Sequence, residues 1–227
     1  MKKMKYGIEV TCLTVGMMLA VTACGGKKAE STETAAQTAV VVETQVQTET
    51  ETEAAQSELT LAEGQMFSYL TGEPVDKKIG LQRPYAIMIN NIKEGLPQSG
   101  VSQAEMIYEA QVEGGITRLM ALFQDVDHVE KIGSIRSARH YYIDFANDND
   151  AIYVHYGQSK YALSRIEDEN ITTIRGLSGY ESQVFYRSTD RKAPHNVYTT
   201  GEMLKAGLEV TGLSRDYPKD FQSHLQF

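Results

Sequence analysis

Cysteine is nearly missing from this 227-residue chain: the only two are Cys12 and Cys24. A disulfide framework is therefore excluded, and so is a cysteine-built metal site. Long apolar runs are also missing. The longest, Val10 to Ala20, falls short of the ~20 apolar residues that a spanning helix needs. The five histidines show neither H-x-H nor H-E-x-x-H spacing, so no metal and no cofactor is expected. A G-x-S-x-G nucleophile elbow and a Walker loop are absent too, which removes two common routes to hydrolase and nucleotidase chemistry. Basic residues form no stripe, and the chain carries a net charge of −8, so nucleic acid is not an expected partner.

What is present begins with an export signal. Lys2, Lys3 and Lys5 precede the short apolar core, and Val21-Thr22-Ala23 closes it with small residues. Cys24 follows at once, before Gly25-Gly26. This arrangement resembles the bacterial lipobox. The resemblance implies cleavage before Cys24, a diacylglycerol thioether on its sulfur, and acylation of the new amino terminus. Each buried methylene is worth ~0.8 kcal/mol, so two or three acyl chains (palmitate or similar) hold a protein stably at a membrane. The expected address is the extracytoplasmic face of the cell membrane, with the membrane itself as first partner. Cys12 lies in the segment to be removed, so the mature chain retains no free thiol.

Residues 25–64 are rich in Thr, Glu, Ala and Gln, without an aromatic residue or a proline. Such a composition cannot bury enough apolar surface to offset its ordering entropy. Residues 24–64 are thus read as a lipidated cysteine and a disordered acidic tether, and 65–227 as one globular domain behind the signal peptide 1–23. A flexible coil of that length has an end-to-end distance of roughly 35 Å. The charge divides as +2 in residues 1–23, −6 in 25–64 and −4 in the remainder, so the acidity sits mainly in the tether.

The domain reads as α/β or α+β, with a mixed β-sheet and flanking helices. Tyr85–Asn90 is an apolar run fit for a buried strand. Residues 106–112 and 116–123 form two strands around Gly114-Gly115, a hairpin signal because both glycines tolerate positive φ. Residues 131–135 and 151–155 are further strands; 138–146, 159–166 and a helix capped by Thr200 complete the pattern.

Three constellations carry the candidate chemistry. In Gly133-Ser134-Ile135-Arg136-Ser137-Ala138-Arg139, Ser137 is read as a helix N-cap and Arg136 and Arg139 as bidentate donors to a carboxylate or phosphate. The competing reading pairs these arginines with internal acids such as Glu109 or Glu113. In the second, Glu109, Gln111 and Glu113 share one face of a strand that leads to Arg118. Two carboxylates there suit acid–base work if their pKa values are pushed apart, or serve simply as a solvated face. In the third, Pro194 stiffens a loop that presents His195 and Asn196, while His155 ends a strand before Gly157.

These residues also carry a family resemblance. Arg83-Pro84, Asn90-Asn91, Pro97-Gln98-Ser99-Gly100, Tyr108-Glu109, Glu113 to Arg118, Ile135 to Arg139, Ile152 to His155 and Arg191 to Asn196 stand in order along most of residues 83–200. Together they resemble the YerB-like lipoprotein family, a domain of unknown function found in Gram-positive bacteria, usually behind a lipobox and a polar tether. The resemblance implies a cell-envelope setting and no particular reaction. Family members usually continue into a C-terminal portion, so a truncated chain or a short member is expected, with exposed apolar surface near the C-terminus if truncated. Two functions remain open. One is an envelope binding module for an anionic or polar ligand or a protein partner, using Arg118, Arg136, Ser137, Arg139 and Asn196. The other is an envelope hydrolase acting on glycan or peptide through Glu109, Glu113, His155 and His195.

Overall fold

The computed structural model describes residues 60–225 and Phe227. The signal segment, Cys24 and nearly all of the acidic tether lie outside the described residues. In chain order the elements are β1 (Gln65–Phe67), β2 (Pro74–Asp76), α1 (Lys77–Gly80), β3 (Tyr85–Asn90), β4 (Met106–Gln111), β5 (Thr117–Phe123), β6 (Ile132–Gly133), α2 (His140–Asp148), β7 (Ile152–His155), α3 (Lys160–Asp168), β8 (Thr173–Arg175), α4 (Glu181–Val184), β9 (Tyr186–Arg187), β10 (Val197–Thr199) and α5 (Gly201–Thr211).

The main sheet has the order β4-β5-β3-β7-β8, and a small sheet has the order β6-β10-β9. Strand β3 pairs antiparallel with β5 and parallel with β7, and β7 pairs parallel with β8. The sheet is therefore mixed and flanked by helices, as its sequence pattern indicates. Burial explains the two strand types. All six residues of β3 are buried, so it reads as a continuous apolar run in the middle of the sheet. Strand β4 lies at an edge and alternates, with Met106, Tyr108 and Ala110 turned inward and Ile107, Glu109 and Gln111 exposed.

Alternation along β3 divides the core in two. Ala86 and Met88 face Tyr142, Ile143 and Ala146 of α2 and Ala162 and Ile166 of α3. Tyr85, Ile87 and Ile89 face Ile132, Ile135, Val197 and Leu204 of α5. The latter helix starts at the expected cap, where Thr200 Oγ1 accepts from Met203 N at 3.1 Å. Helix α3 is capped likewise by Ser159 Oγ, which accepts from Ala162 N at 3.2 Å.

Two local expectations are corrected. Ser137 does not cap α2: the helix starts at His140, with Arg139 at the cap position and no side-chain capping bond. Ala138 is held extended instead, donating to Gly157 O at 2.9 Å and accepting from Ser159 N at 3.1 Å, so the helix cannot start there. Glu113 does not share the face of Glu109 and Gln111, because β4 stops at Gln111 and Glu113 opens a 3₁₀ turn with Gly114 and Gly115. Both glycines have positive φ, 77° and 73°, and the turn joins β4 to β5 as the hairpin signal indicated.

The expected strand over 131–135 is shorter and changes partners midway. Gly133 pairs with Tyr198 of β10, while Ile135 bridges to Ile89 of β3. Gly133 has φ +147°, and a Cβ there would lie 2.7 Å from the Tyr198 ring and 2.9 Å from Val197 O. Only glycine lets the chain cross between the two sheets at this point.

Candidate functional site

The crossing segment builds the site. Ser134 O accepts from Asn90 N at 2.9 Å, and Arg136 N donates to Met88 O at 2.9 Å, so residues 134–136 extend the sheet beside the end of β3. Tyr156 N donates to Arg136 O at 3.1 Å and ties the same segment to the loop after β7. The polar ends of β3 and β7 thus meet a basic segment at the carboxyl edge of the parallel strands, a common place for ligands in α/β sheets.

Three arginines converge there. Arg118, second in β5, lies across from Asn90 on one side and Ala110 on the other. Its Nη1 donates to Ser137 O at 2.6 Å, and Arg139 Nη1 lies 3.5 Å from the same oxygen. Arg139 also donates to Ala138 O at 2.9 Å. Arg136 Nη1 donates to Pro194 O at 2.9 Å, while its Nε is buried without a hydrogen-bond partner. Ser137 therefore contributes through its carbonyl, which positions two guanidinium groups.

Charge accounting separates these arginines from the others. Arg139 Nε donates to both oxygens of Glu113, at 2.7 and 2.8 Å. Among the described residues, neither Arg118 nor Arg136 forms an ion pair. The internal-acid reading holds for Arg139 alone, since Glu109 is bonded to neutral groups. Yet Arg118 is only 4% exposed. Burial, and then the charges of Arg139 and Arg136, push its pKa down from 12.5 to about 10. Burial and Arg139 lower Arg136 in the same direction. A buried cation without a counter-charge is costly, and an incoming anion relieves that cost.

A hydrogen-bond network that includes the carboxylate of Glu109 adjoins the cluster. Glu109 Oε1 accepts from Asn91 Nδ2 at 3.0 Å and from Thr117 Oγ1 at 2.5 Å. Asn91 Oδ1 in turn accepts from Gln98 Nε2 at 2.9 Å. Asn90 Nδ2 donates to His195 Nδ1 at 3.0 Å, which leaves the neutral imidazole's proton on Nε2. Burial, followed by the charge of Arg136, lowers the pKa of His195 below its usual 6.5. His195 is thus arranged as a neutral hydrogen-bond donor, and Glu109 as a multiply bonded acceptor. Asn90, Asn91, Gln98 and Thr117 were given no role by sequence reasoning; the signal that could have found them is an Asn-Asn pair at the polar end of an otherwise apolar strand.

The remaining candidates are turned inward. His155 is fully buried, its Nδ1 donating to Gly157 O at 2.8 Å, and burial pushes its pKa down to about 4. Asn196 Oδ1 accepts from Arg187 Nη1 at 2.8 Å, and its Nδ2 donates to Ser188 O at 3.1 Å, so the amide braces the loop beneath His195. A hollow of about 460 Å³ lies elsewhere, lined in part by Asp127, His128, Glu130 and Glu202. Its three carboxylates give it the wrong sign for an anion.

Comparison with known proteins places this geometry. Residues 70–214, which contain the whole arginine cluster and its network, match the family described as "Protein of unknown function (DUF3048) N-terminal domain". The chain belongs to the DUF3048 family. It is 38% identical over 143 residues to a Bacillus subtilis (strain 168) protein named "Putative lipoprotein YerB", covering 63% of this chain and 43% of that relative. The crystal structure of YerB protein from Bacillus subtilis is similar, with a TM-score of 0.63 and 36% identity over 66% of this chain and 51% of the other. The chain thus spans about half or less of the DUF3048 relatives it matches. The YerB-like resemblance of the motifs and the mixed α+β architecture both agree with these matches.

Proposed function

We propose that this DUF3048-family protein is a lipid-anchored extracytoplasmic binding module whose Arg118, Arg136 and Arg139 capture an anionic ligand of the cell envelope. The observation that carries the reading is Arg118: a residue 4% exposed, beside two further arginines, with no carboxylate paired to it among the described residues. A side chain serving only the fold is normally buried with its counter-ion, because burying one partner alone is strongly unfavourable. A site kept for a ligand carries that cost until the ligand arrives. Phosphate and carboxylate both match the forked donors of arginine.

The address rests on the lipobox-like sequence before Cys24 and on a relative whose name calls it a lipoprotein. No helix among the described residues is long and apolar enough to cross a membrane. The acyl groups on Cys24 hold the protein, and the acidic segment spaces the binding domain from the bilayer.

The test is a thermal-shift titration with inorganic phosphate at low ionic strength. Wild-type protein is expected to unfold at higher temperature as phosphate rises, and Arg136→Ala combined with Arg139→Ala to abolish the rise. An equal response before and after the double change removes the arginine site.

A further inference from the structure

Beside the arginine cluster stands an aromatic surface that the anion site alone does not use. The His140 ring, next in the chain to Arg139, lies 5.0 Å from the Tyr141 ring and 5.9 Å from the Tyr161 ring. The Tyr141 hydroxyl donates to Gln111 O at 2.9 Å, at the strand end that leads into the turn bearing Glu113. Tyr161, in the first turn of α3, is 70% exposed. Together with His140, Ser164 and Arg165 it lines an open hollow of about 400 Å³.

Two features restrict what fits this hollow. Arg165 brings no uncompensated charge, since it is paired with Asp144 at 2.8 Å and with Glu169 at 2.6 Å. Ser164 Oγ is likewise engaged, donating to Asp168 at 2.9 Å. The His140 and Tyr161 rings meet at 64°, which leaves no parallel slot to sandwich a planar base. What remains are two exposed rings, Tyr161 and His140, set at an angle to each other, with His140 next in the chain to Arg139. The C–H face of a pyranose packs against one aromatic face while its equatorial hydroxyls stay in water, and the start of α3 is tied to the segment bearing Arg139: Ser159 N donates to Ala138 O at 3.1 Å and Arg165 Nη1 to His140 O at 2.9 Å.

Resting on the anion-binding reading above, we infer that the ligand is an anionic saccharide, with its acidic group at Arg118, Arg136 and Arg139 and a sugar ring against Tyr161 and His140. The charge of the cluster and its continuity through Arg139-His140 with the aromatic surface are what commit the hollow to this occupant.

Isothermal titration of the full chain separates the two levels. The probes are inorganic phosphate, glucose, glucose 1-phosphate and glucuronate. Glucose 1-phosphate, glucuronate or both are expected to bind at least fivefold more tightly than inorganic phosphate; which of them does so identifies the acid as phosphate or carboxylate. Tyr161→Ala is expected to erase that advantage while leaving phosphate affinity unchanged, and Tyr161→Phe to retain it. Equal affinity for all three anions in the wild type, or an advantage that survives Tyr161→Ala, overturns the saccharide assignment and leaves the anion site standing. No binding of any anion overturns the anion site itself.

Discussion

Arg118 and Arg165 show how differently one fold treats two arginines. Arg165 is partly exposed and held by Asp144 and Glu169, whose hydrogen bonds and charges raise its pKa. Arg118 is buried among cations, and its pKa falls. His155 is the neutral counterpart, a ring sealed in the core with one nitrogen satisfied by Gly157 O. Its pKa of about 4 lies below the unfolded value of 6.5, so folding favours the neutral ring. Above pH 6.5 neither state takes the proton and no penalty applies. Between pH 6.5 and 4 the unfolded chain takes up a proton that the folded one refuses, so stability falls by about 3 kcal/mol over that window. His155→Asn, which keeps a donor for Gly157 O and does not titrate, is expected to lose about 2 kcal/mol less than wild type between pH 7 and pH 4.5 in urea unfolding. Equal losses would show that His155 is not the titrating group.

At the scale of elements, legibility followed the range of the interactions. The buried strand β3 was readable to its exact ends because six consecutive residues, all buried, obey one rule. The Thr200 cap was readable because donor and acceptor lie three residues apart. Thr200→Ala is expected to cost about 1 kcal/mol in urea unfolding and to leave the phosphate response intact, because α5 packs on the face of β3 opposite to α2. The segment Ile132–Ala138 was misread for the opposite reason. Its partners are Ser99, Ile89, Gln158 and Tyr198, all distant in sequence, and nothing local announces a chain that leaves one sheet for another. The misplacement of Ser137 as a cap comes from such neighbours, whereas Glu113 leaves the strand for a local reason, the turn it forms with Gly114 and Gly115. The arginines themselves were legible as a basic motif. That Arg118 joins Arg136 and Arg139, and that Glu113 neutralises only Arg139, depends on the register of β5 against β3 and on the turn after β4.

For the whole molecule, the charge pattern separates address from activity. The acidic segment 25–64 carries −6 and the domain behind it only −4, so three clustered arginines stand out locally without making the protein basic. Cys24→Ala is expected to abolish partitioning into a detergent phase, checked by phase separation of membrane extracts, because the acyl chains have no other attachment point; unchanged partitioning would contradict lipidation. The central claim concerns Arg118, and one comparison tests it most directly: the unfolding temperature of wild type and of Arg118→Met, each with and without inorganic phosphate. Methionine keeps much of the apolar stem and removes the buried charge, and Ser137 O retains Arg139 Nη1 at 3.5 Å. If Arg118 is held for an anion, the variant is more stable than wild type in the absence of phosphate, by about 1 kcal/mol, and gains nothing when phosphate is added. A variant that unfolds at lower temperature than wild type and still responds to phosphate would contradict the account.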